Sequence, residues 1–290
     1  MKWQQAEKDL WYKQQKIHRS YRVEVVSKIE HLKSDFEVTE YAALSENPKR
    51  YPLFIMRSKG FDAAKKTVLI TGGVHGYESS GVHAALEFMK KSASDYLSTF
   101  NFACAPCISP WSYETINRWN AKAIDPNRSF YKGSPAEECQ FFLEATSDLN
   151  PYLHIDLHET TDTDNTIFRP ALEQRDGKKI EFSPIPDGFY VVGDTENPQS
   201  EFQKAVVDAV RAVTHIAPAD EYGKIIGDKV EQDGVINYPL KKLFLCAGVF
   251  NAKYCTVTEV YPDSPKVNAQ ICVEAQIAAI KGALDFVSKN

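Results

Sequence analysis

Two histidine-bearing segments stand out by residue type and spacing. In Thr67-Val-Leu-Ile-Thr-Gly-Gly-Val-His75-Gly-Tyr-Glu78-Ser-Ser-Gly81, an apolar run ends in two glycines. An imidazole and a carboxylate three residues apart follow, before a helical pattern begins. In Asp156-Leu-His158-Glu-Thr, a second strand-like run ends in a second imidazole. Two nitrogens and one carboxylate make the three-ligand set of a hydrolytic zinc site, with the fourth position left for water. With 7 His and 39 acidic residues in 290, about one His-x-x-acid match arises by chance, so spacing alone decides little. Position adds weight: the His75 turn sits at the carboxyl end of a buried strand, where open α/β sheets build their sites.

Side chains alternate along Tyr152 to His158, which puts His154, Asp156 and His158 on one face. His158 lies at the strand end, within reach of solvent and metal. His154 sits about two steps deeper and reads as a satisfied core histidine. Asp156 could orient an imidazole or cap the following loop, and spacing does not separate the two. His18, His31, His83 and His215 lie in helical or polar contexts without ligand spacing and read as ordinary residues. Arg118 and Arg128 could each be surface salt-bridge partners, as most arginines are. Glu259 is harder to dismiss, because a lone carboxylate rarely sits in an apolar strand without a partner or a task.

The elements that must position these residues alternate along the chain. Residues 1–20 are polar with helical spacing and predict a peripheral helix. Tyr21 to Val26 and Tyr51 to Arg57 read as short strands around an acidic connection. Thr67 to Gly72 is apolar on both faces, as a central parallel strand is. Val82, Ala85, Leu86 and Met89 then recur at helical spacing. Phe102 to Ile108 reads as a strand, and Ser134-Pro135-Ala-Glu137 as the start of a helix running to about Asp148. Tyr152 to Leu157, Gly188 to Gly193 and Lys253 to Val260 read as further strands, and Pro198 to Ile216 as an amphipathic helix. Ser264-Pro265 opens a last helix striped by Val273, Ile277, Ile280, Leu284 and Val287. Residues 162–186, rich in charge, Pro and Gly, read as a long loop of the kind that shapes a site's rim. The alternation predicts a single-domain α/β/α sandwich over residues 1–290, with a mixed, mostly parallel central sheet and no internal repeat.

Composition agrees. An apolar fraction of 43% and a charged fraction of 25% are ordinary for a globular protein. A net charge of −5 argues against nucleic acid or an anionic membrane as partner, and no stretch approaches a membrane span. The N-terminus lacks the apolar core of a signal peptide, which predicts a cytoplasmic protein. The six cysteines lie mostly in apolar runs, as reduced buried thiols do, and Cys104-Ala-Pro-Cys107 reads as structural. Composition leaves oligomeric state open.

A third constellation, Ser109-Pro-Trp-Ser-Tyr-Glu-Thr-Ile-Asn-Arg118-Trp-Asn-Ala-Lys-Ala-Ile-Asp125-Pro-Asn127-Arg128-Ser-Phe130, follows the second strand. It resembles the Asn-Pro-x-Gly … Arg … Asp-x-Asn-Arg-x-Phe region shared by zinc carboxypeptidases and their relatives, the aspartoacylases and succinylglutamate desuccinylases. The His-x-x-Glu turn, the Asp-Leu-His segment and Thr256-Val-Thr-Glu259 match the same group in the same order. The resemblance implies one zinc per chain held by His75, Glu78 and His158, with its water activated toward neutrality. It implies that Asp125 fixes the tautomer of His75, and that Glu259 is the general base that passes a proton to the leaving nitrogen. Arg118 would polarise the scissile carbonyl, a role typically worth about 3–4 kcal/mol of barrier. Asn127 and Arg128 would receive the substrate's free carboxylate. Tyr238 is the candidate for the mobile tyrosine that carboxypeptidases place over that carboxylate.

Two details depart from the family pattern: Pro126 stands where Leu or Ala is usual, and Ser109-Pro-Trp-Ser replaces Asn-Pro-x-Gly. Aspartoacylases and desuccinylases add a β-rich C-terminal domain, whereas the stretch after Glu259 reads as a closing helix. The reading favoured here is therefore a metallopeptidase that removes the C-terminal residue from a small peptide or peptide-like amide. The alternative is a deacylase acting on N-acyl amino acids by the same chemistry. A catalytically inactive homologue kept for binding is the third reading, and it conflicts with the full set of ligands and base.

Overall fold

The computed structural model describes residues 2–290. The chain runs through α1 (Gln5–Gln14), α2 (Ser27–His31), β1 (Phe36–Ala43), β2 (Pro52–Ser58), β3 (Lys66–Gly72), α3 (Ser79–Lys91) and β4 (Phe100–Ala105). It continues through α4 (Pro110–Thr115), α5 (Glu137–Ala145), β5 (Leu153–Glu159), α6 (Arg169–Asp176), β6 (Tyr190–Asp194) and α7 (Ser200–Arg211). The small hairpin β7 (Lys224–Ile225) and β8 (Asp228–Lys229) precedes β9 (Val235–Tyr238), β10 (Tyr254–Val260) and α8 (Ala269–Lys289).

Eight strands form one mixed sheet in the order β1-β2-β4-β3-β5-β10-β6-β9. The pairs β4/β3, β3/β5, β5/β10 and β6/β9 are parallel, and β1/β2, β2/β4 and β10/β6 are antiparallel. Period-two alternation sends the side chains of the central strands to two separate cores. Val68, Ile70, Leu153, Ile155 and Leu157 pack into a large cluster that also holds residues of α3, α7 and α8. Leu69, Ala103 and Ala105 face the other way, toward Cys139 and Phe142 of α5. On that second side, Tyr190, Val192, Cys255 and Val257 build a third cluster with Ile225, Leu240 and Leu245. Such two-sided burial is what near-continuous apolar strands require.

Several elements differ from expectation. Tyr21 to Val26 is helical rather than extended: Arg22–Val26 is a helical turn continuous with α2. Tyr21, Val25, Val26, Ile29 and Leu32 are all buried, so a helical stripe outweighs the strand propensity of the valines. The charged stretch read as a connection contains β1, an edge strand whose outward residues are polar. Both Ser-Pro pairs make turns instead of caps. Ser134 Oγ accepts the Ala136 N–H and α5 starts later, while Asn268 caps α8 by accepting the Ile271 N–H at 3.0 Å. The helix read over 198–216 is shorter, and residues 162–186 carry a helical turn, Asp164–Phe168, leading into α6. No helix among the described residues is long and apolar enough to cross a membrane.

Candidate metal centre and its cavity

The parallel neighbours β3, β5 and β10 end on the same side of the sheet. His75 and Glu78 come from the turn after β3, and Glu78 occupies the residue just before α3. His158 is the penultimate residue of β5 and Glu259 of β10. The register places these two directly beside each other, with Tyr190 of β6 on the far side of Glu259. The turn can be this tight because of Gly76, where a Cβ would lie 1.9 Å from the Ser112 carbonyl carbon of α4. Gly81 likewise lets α3 approach β5, since a Cβ there would meet Leu157 O at 2.6 Å.

Ligand-type atoms of His75, Glu78 and His158 lie within 4.8 Å of one another, and all three residues are buried. His75 Nδ1 is 2.7 Å from Glu78 Oε1, and His158 Nδ1 is 2.7 Å from Glu78 Oε2. The second contact meets the distance of a hydrogen bond but not its direction, so Oε2 is a buried carboxylate oxygen without a hydrogen-bond partner among the described residues. Lone pairs aimed at a common point would produce that arrangement, and the donor set fits a divalent cation. The outer nitrogens are held from behind. His75 Nε2 lies 2.9 Å from Asp125 Oδ1, and His158 Nε2 lies 2.9 Å from Asp156 Oδ2.

Asp156 thus contacts an imidazole rather than capping a loop. Its other oxygen accepts the Thr71 hydroxyl at 2.6 Å, and Thr71 Oγ1 is 2.9 Å from His154 Nε2. His154 is satisfied at one nitrogen only: Nδ1 has no partner among the described residues, and burial pushes the imidazole pKa down to about 4. Burial works against a charged Glu78, yet the charges of His158 and His75 prevail and hold its pKa at about 2. Burial also opposes ionisation of Asp125, and Arg118 and His75 nonetheless hold it well below the usual carboxylate range.

Glu259 keeps part of its surface open to the cavity. Burial raises its pKa to about 7, with His158 opposing and Glu78 adding to the shift. Arg118 is clamped: Nε donates to Asp125 Oδ2 at 3.1 Å and Nη1 to Asp164 Oδ1 at 3.3 Å. Tyr77 completes this group by donating to Asp164 and stacking on His75. Arg128 differs, for it has no carboxylate within 4.0 Å among the described residues and opens to the cavity. Asn127 is tied down, its Oδ1 accepting the Cys246 N–H at 2.9 Å and its Nδ2 lying 3.5 Å from His158 Nε2. Tyr238 lines the same cavity from the end of β9, where its carbonyl accepts the Thr195 N–H.

These residues share one cavity of about 920 Å³. Tyr190, Val192, Ile226, Leu245 and Val257 form an apolar portion of its wall, and α6 contributes Arg169 and Arg175. Lys2, Trp3 and Lys8 reach the rim from the N-terminal arm. The arm is seated by aromatic contacts: Trp3 meets Trp119 at 5.8 Å, and Trp11 meets Trp111 at 5.9 Å and Trp119 at 5.7 Å. Tyr77, Asp164, Thr160, Tyr190 and the arm carry no sequence signal as parts of the site. None of them has ligand spacing, and they meet only through the fold. The six cysteines are all free and buried.

No protein-family model and no curated protein matches this sequence. Solved structures do match its fold. A protein from Shewanella amazonensis with a provisional metallopeptidase designation superposes with a TM-score of 0.69 at 17% identity, covering 94% of this chain and 98% of the other. A metallo-carboxypeptidase from Burkholderia cenocepacia gives 0.63 at 16% identity, covering 91% and 68%. Carboxypeptidase A from Helicoverpa armigera gives 0.61 at 14% identity, covering 95% and 75%. The fold is therefore the α/β fold of the zinc carboxypeptidases.

Proposed function

We propose that this protein is a zinc-dependent hydrolase that removes the C-terminal residue from a peptide or peptide-like amide. The observation that carries the reading is the convergence of His75, Glu78 and His158, with Glu259 beside them and the unpaired Arg128 in the same cavity. His75, Glu78 and His158 would hold one zinc, which when bound supplies Lewis acidity toward a carbonyl and a water molecule. Asp125 and Asp156 accept the outer ring N–H groups and fix both tautomers. Glu259, with its raised pKa, takes a proton from the attacking water and returns it to the amide nitrogen as the C–N bond breaks. Arg118 lies alongside as the cation for the developing oxyanion, and Arg128 receives the substrate's carboxylate as a two-pronged donor. Asn127 supports Arg128, whose Nη1 donates to the Asn127 carbonyl at 2.7 Å. Tyr238, which lines the same cavity, would cover the bound carboxylate.

Purified protein is expected to carry about one zinc per chain and to hydrolyse short peptides faster than N-acetyl or N-succinyl amino acids. A substrate panel with metal analysis tests this, and preference for the acyl amino acids would move the assignment to a deacylase. The cavity volume favours the peptide. Arg128→Ala is expected to raise KM by about 10–100-fold for substrates with a free carboxylate and to leave C-terminal amides unaffected. Equal losses on both would remove Arg128 from substrate recognition. Asp125→Asn is expected to weaken zinc retention about 10–100-fold, read by competition with a chelator.

A further inference from the structure

We propose that Thr160 and Tyr190 are positioning residues that fix which oxygen of Glu259 accepts the proton, an inference that rests on the base assigned above. Glu259 stands in an unusual situation for a buried-site carboxylate. Among the described residues no Lys, Arg or His nitrogen lies within 4.0 Å of it. Its one side-chain hydrogen bond among those residues comes from Thr160, whose Oγ1 donates to Glu259 Oε2 at 2.8 Å. Thr160 Oγ1 in turn lies 2.7 Å from the Tyr190 hydroxyl. Without this chain, little else would hold the carboxylate, because its side chain borders an open cavity of about 920 Å³.

The direction of the chain follows from counting protons. An ionised carboxylate only accepts, so Thr160 must spend its single hydroxyl proton on Glu259. The Tyr190 hydroxyl must then donate to Thr160. Every member is set by backbone. Thr160 N–H donates to the Val260 carbonyl at 3.0 Å, next to Glu259, and Tyr190 pairs across the sheet with Glu259 itself. Thr160 and Tyr190 are buried at 3% and 2% exposure, and the γ-methyl of threonine further restricts the rotamer that carries the hydroxyl.

One oxygen of Glu259 is thereby committed and the other is free. Oε1 has no hydrogen-bond partner among the described residues, so it is the atom that takes the proton as the water O–H bond breaks and the water oxygen bonds the carbonyl carbon. Oε2 keeps the Thr160 hydrogen bond through the transfer, so the carboxyl group need not turn before Oε1 releases its proton to the leaving nitrogen. Misplacing a reacting group by about 1 Å can cost 10²-fold in rate, so a single fixed rotamer has kinetic consequences.

Thr160→Val, Thr160→Ser and Tyr190→Phe test the proposal, each checked for folding by circular dichroism and for metal content. Thr160→Val is expected to lower kcat about 10–100-fold with KM unchanged, Thr160→Ser to recover most of the loss, and Tyr190→Phe to fall between them. Crystal structures supply a readout independent of turnover: Thr160→Val should show Glu259 in more than one rotamer while His75, Glu78 and His158 stay in place. An unmoved, singly ordered Glu259 in that variant overturns the proposal, as does unchanged kcat in an active enzyme. Absence of hydrolysis in the wild-type protein overturns the proposed function, and the rotamer comparison then still decides whether Thr160 holds the carboxylate.

Discussion

Glu259→Gln is expected to keep the proposed zinc and to lose about 10²–10⁴-fold in kcat. The amide is nearly isosteric and can still accept the Thr160 hydrogen bond through its oxygen, so the cavity and the three ligands are undisturbed. What it lacks is a basic oxygen. The effect should appear equally in kcat and kcat/KM, because the interaction removed is made at the transition state rather than on binding. The pH profile carries the same signature. A base must be deprotonated, so activity is lost as pH falls through the Glu259 pKa, which burial raises to about 7 before any cation is bound. A bound zinc would favour the carboxylate form and move that acidic limb lower, so metal-loaded enzyme should show the limb below 7. Turnover within tenfold of wild type in Glu259→Gln would dispose of the assigned base.

His75→Ala is expected to empty the proposed metal centre. The change removes one of the three proposed ligands and leaves Asp125 Oδ1 without the ring that lies 2.9 Å away. Zinc content should fall to background and hydrolysis with it. Stability offers a second measurement. A ligand that binds only the folded chain adds RT ln(1 + [L]/Kd), about 2.7 kcal/mol at a hundredfold excess over Kd. Wild-type protein should therefore melt at lower temperature once a chelator is added, and His75→Ala should be indifferent to it. A chelator-sensitive His75→Ala protein, or one that still hydrolyses the wild-type substrate, would place the metal elsewhere.

How much of this was legible in the sequence depended on whether the signal was local. Thr67 to Gly72, Lys253 to Val260 and the stripe from Val273 to Val287 announced themselves through uninterrupted burial or strict spacing; the two strands fall within a residue of expectation, and the stripe lies within α8, which starts at Ala269 rather than at Ser264-Pro265. Tyr21 to Val26 misled because four of its residues suit a strand, while the buried face that makes it helical extends on to Leu32. The Ser-Pro pairs misled because a turn and a helix start share the same residues. In the centre itself, the proposed ligands and base were readable as motif residues. Asp164, Thr160 and Tyr190 were not, because their importance lies in register: a strand pairing, and a helical turn folded across 46 residues to reach Arg118.

The seating of the N-terminal arm has a consequence for observing the molecule in solution. All 4 of the chain's tryptophans, Trp3, Trp11, Trp111 and Trp119, gather in that one patch, and none lies in the central sheet. Intrinsic emission from this protein is thus a local gauge of the doorway: it registers the arm lifting or settling while staying nearly blind to the interior that folds behind it.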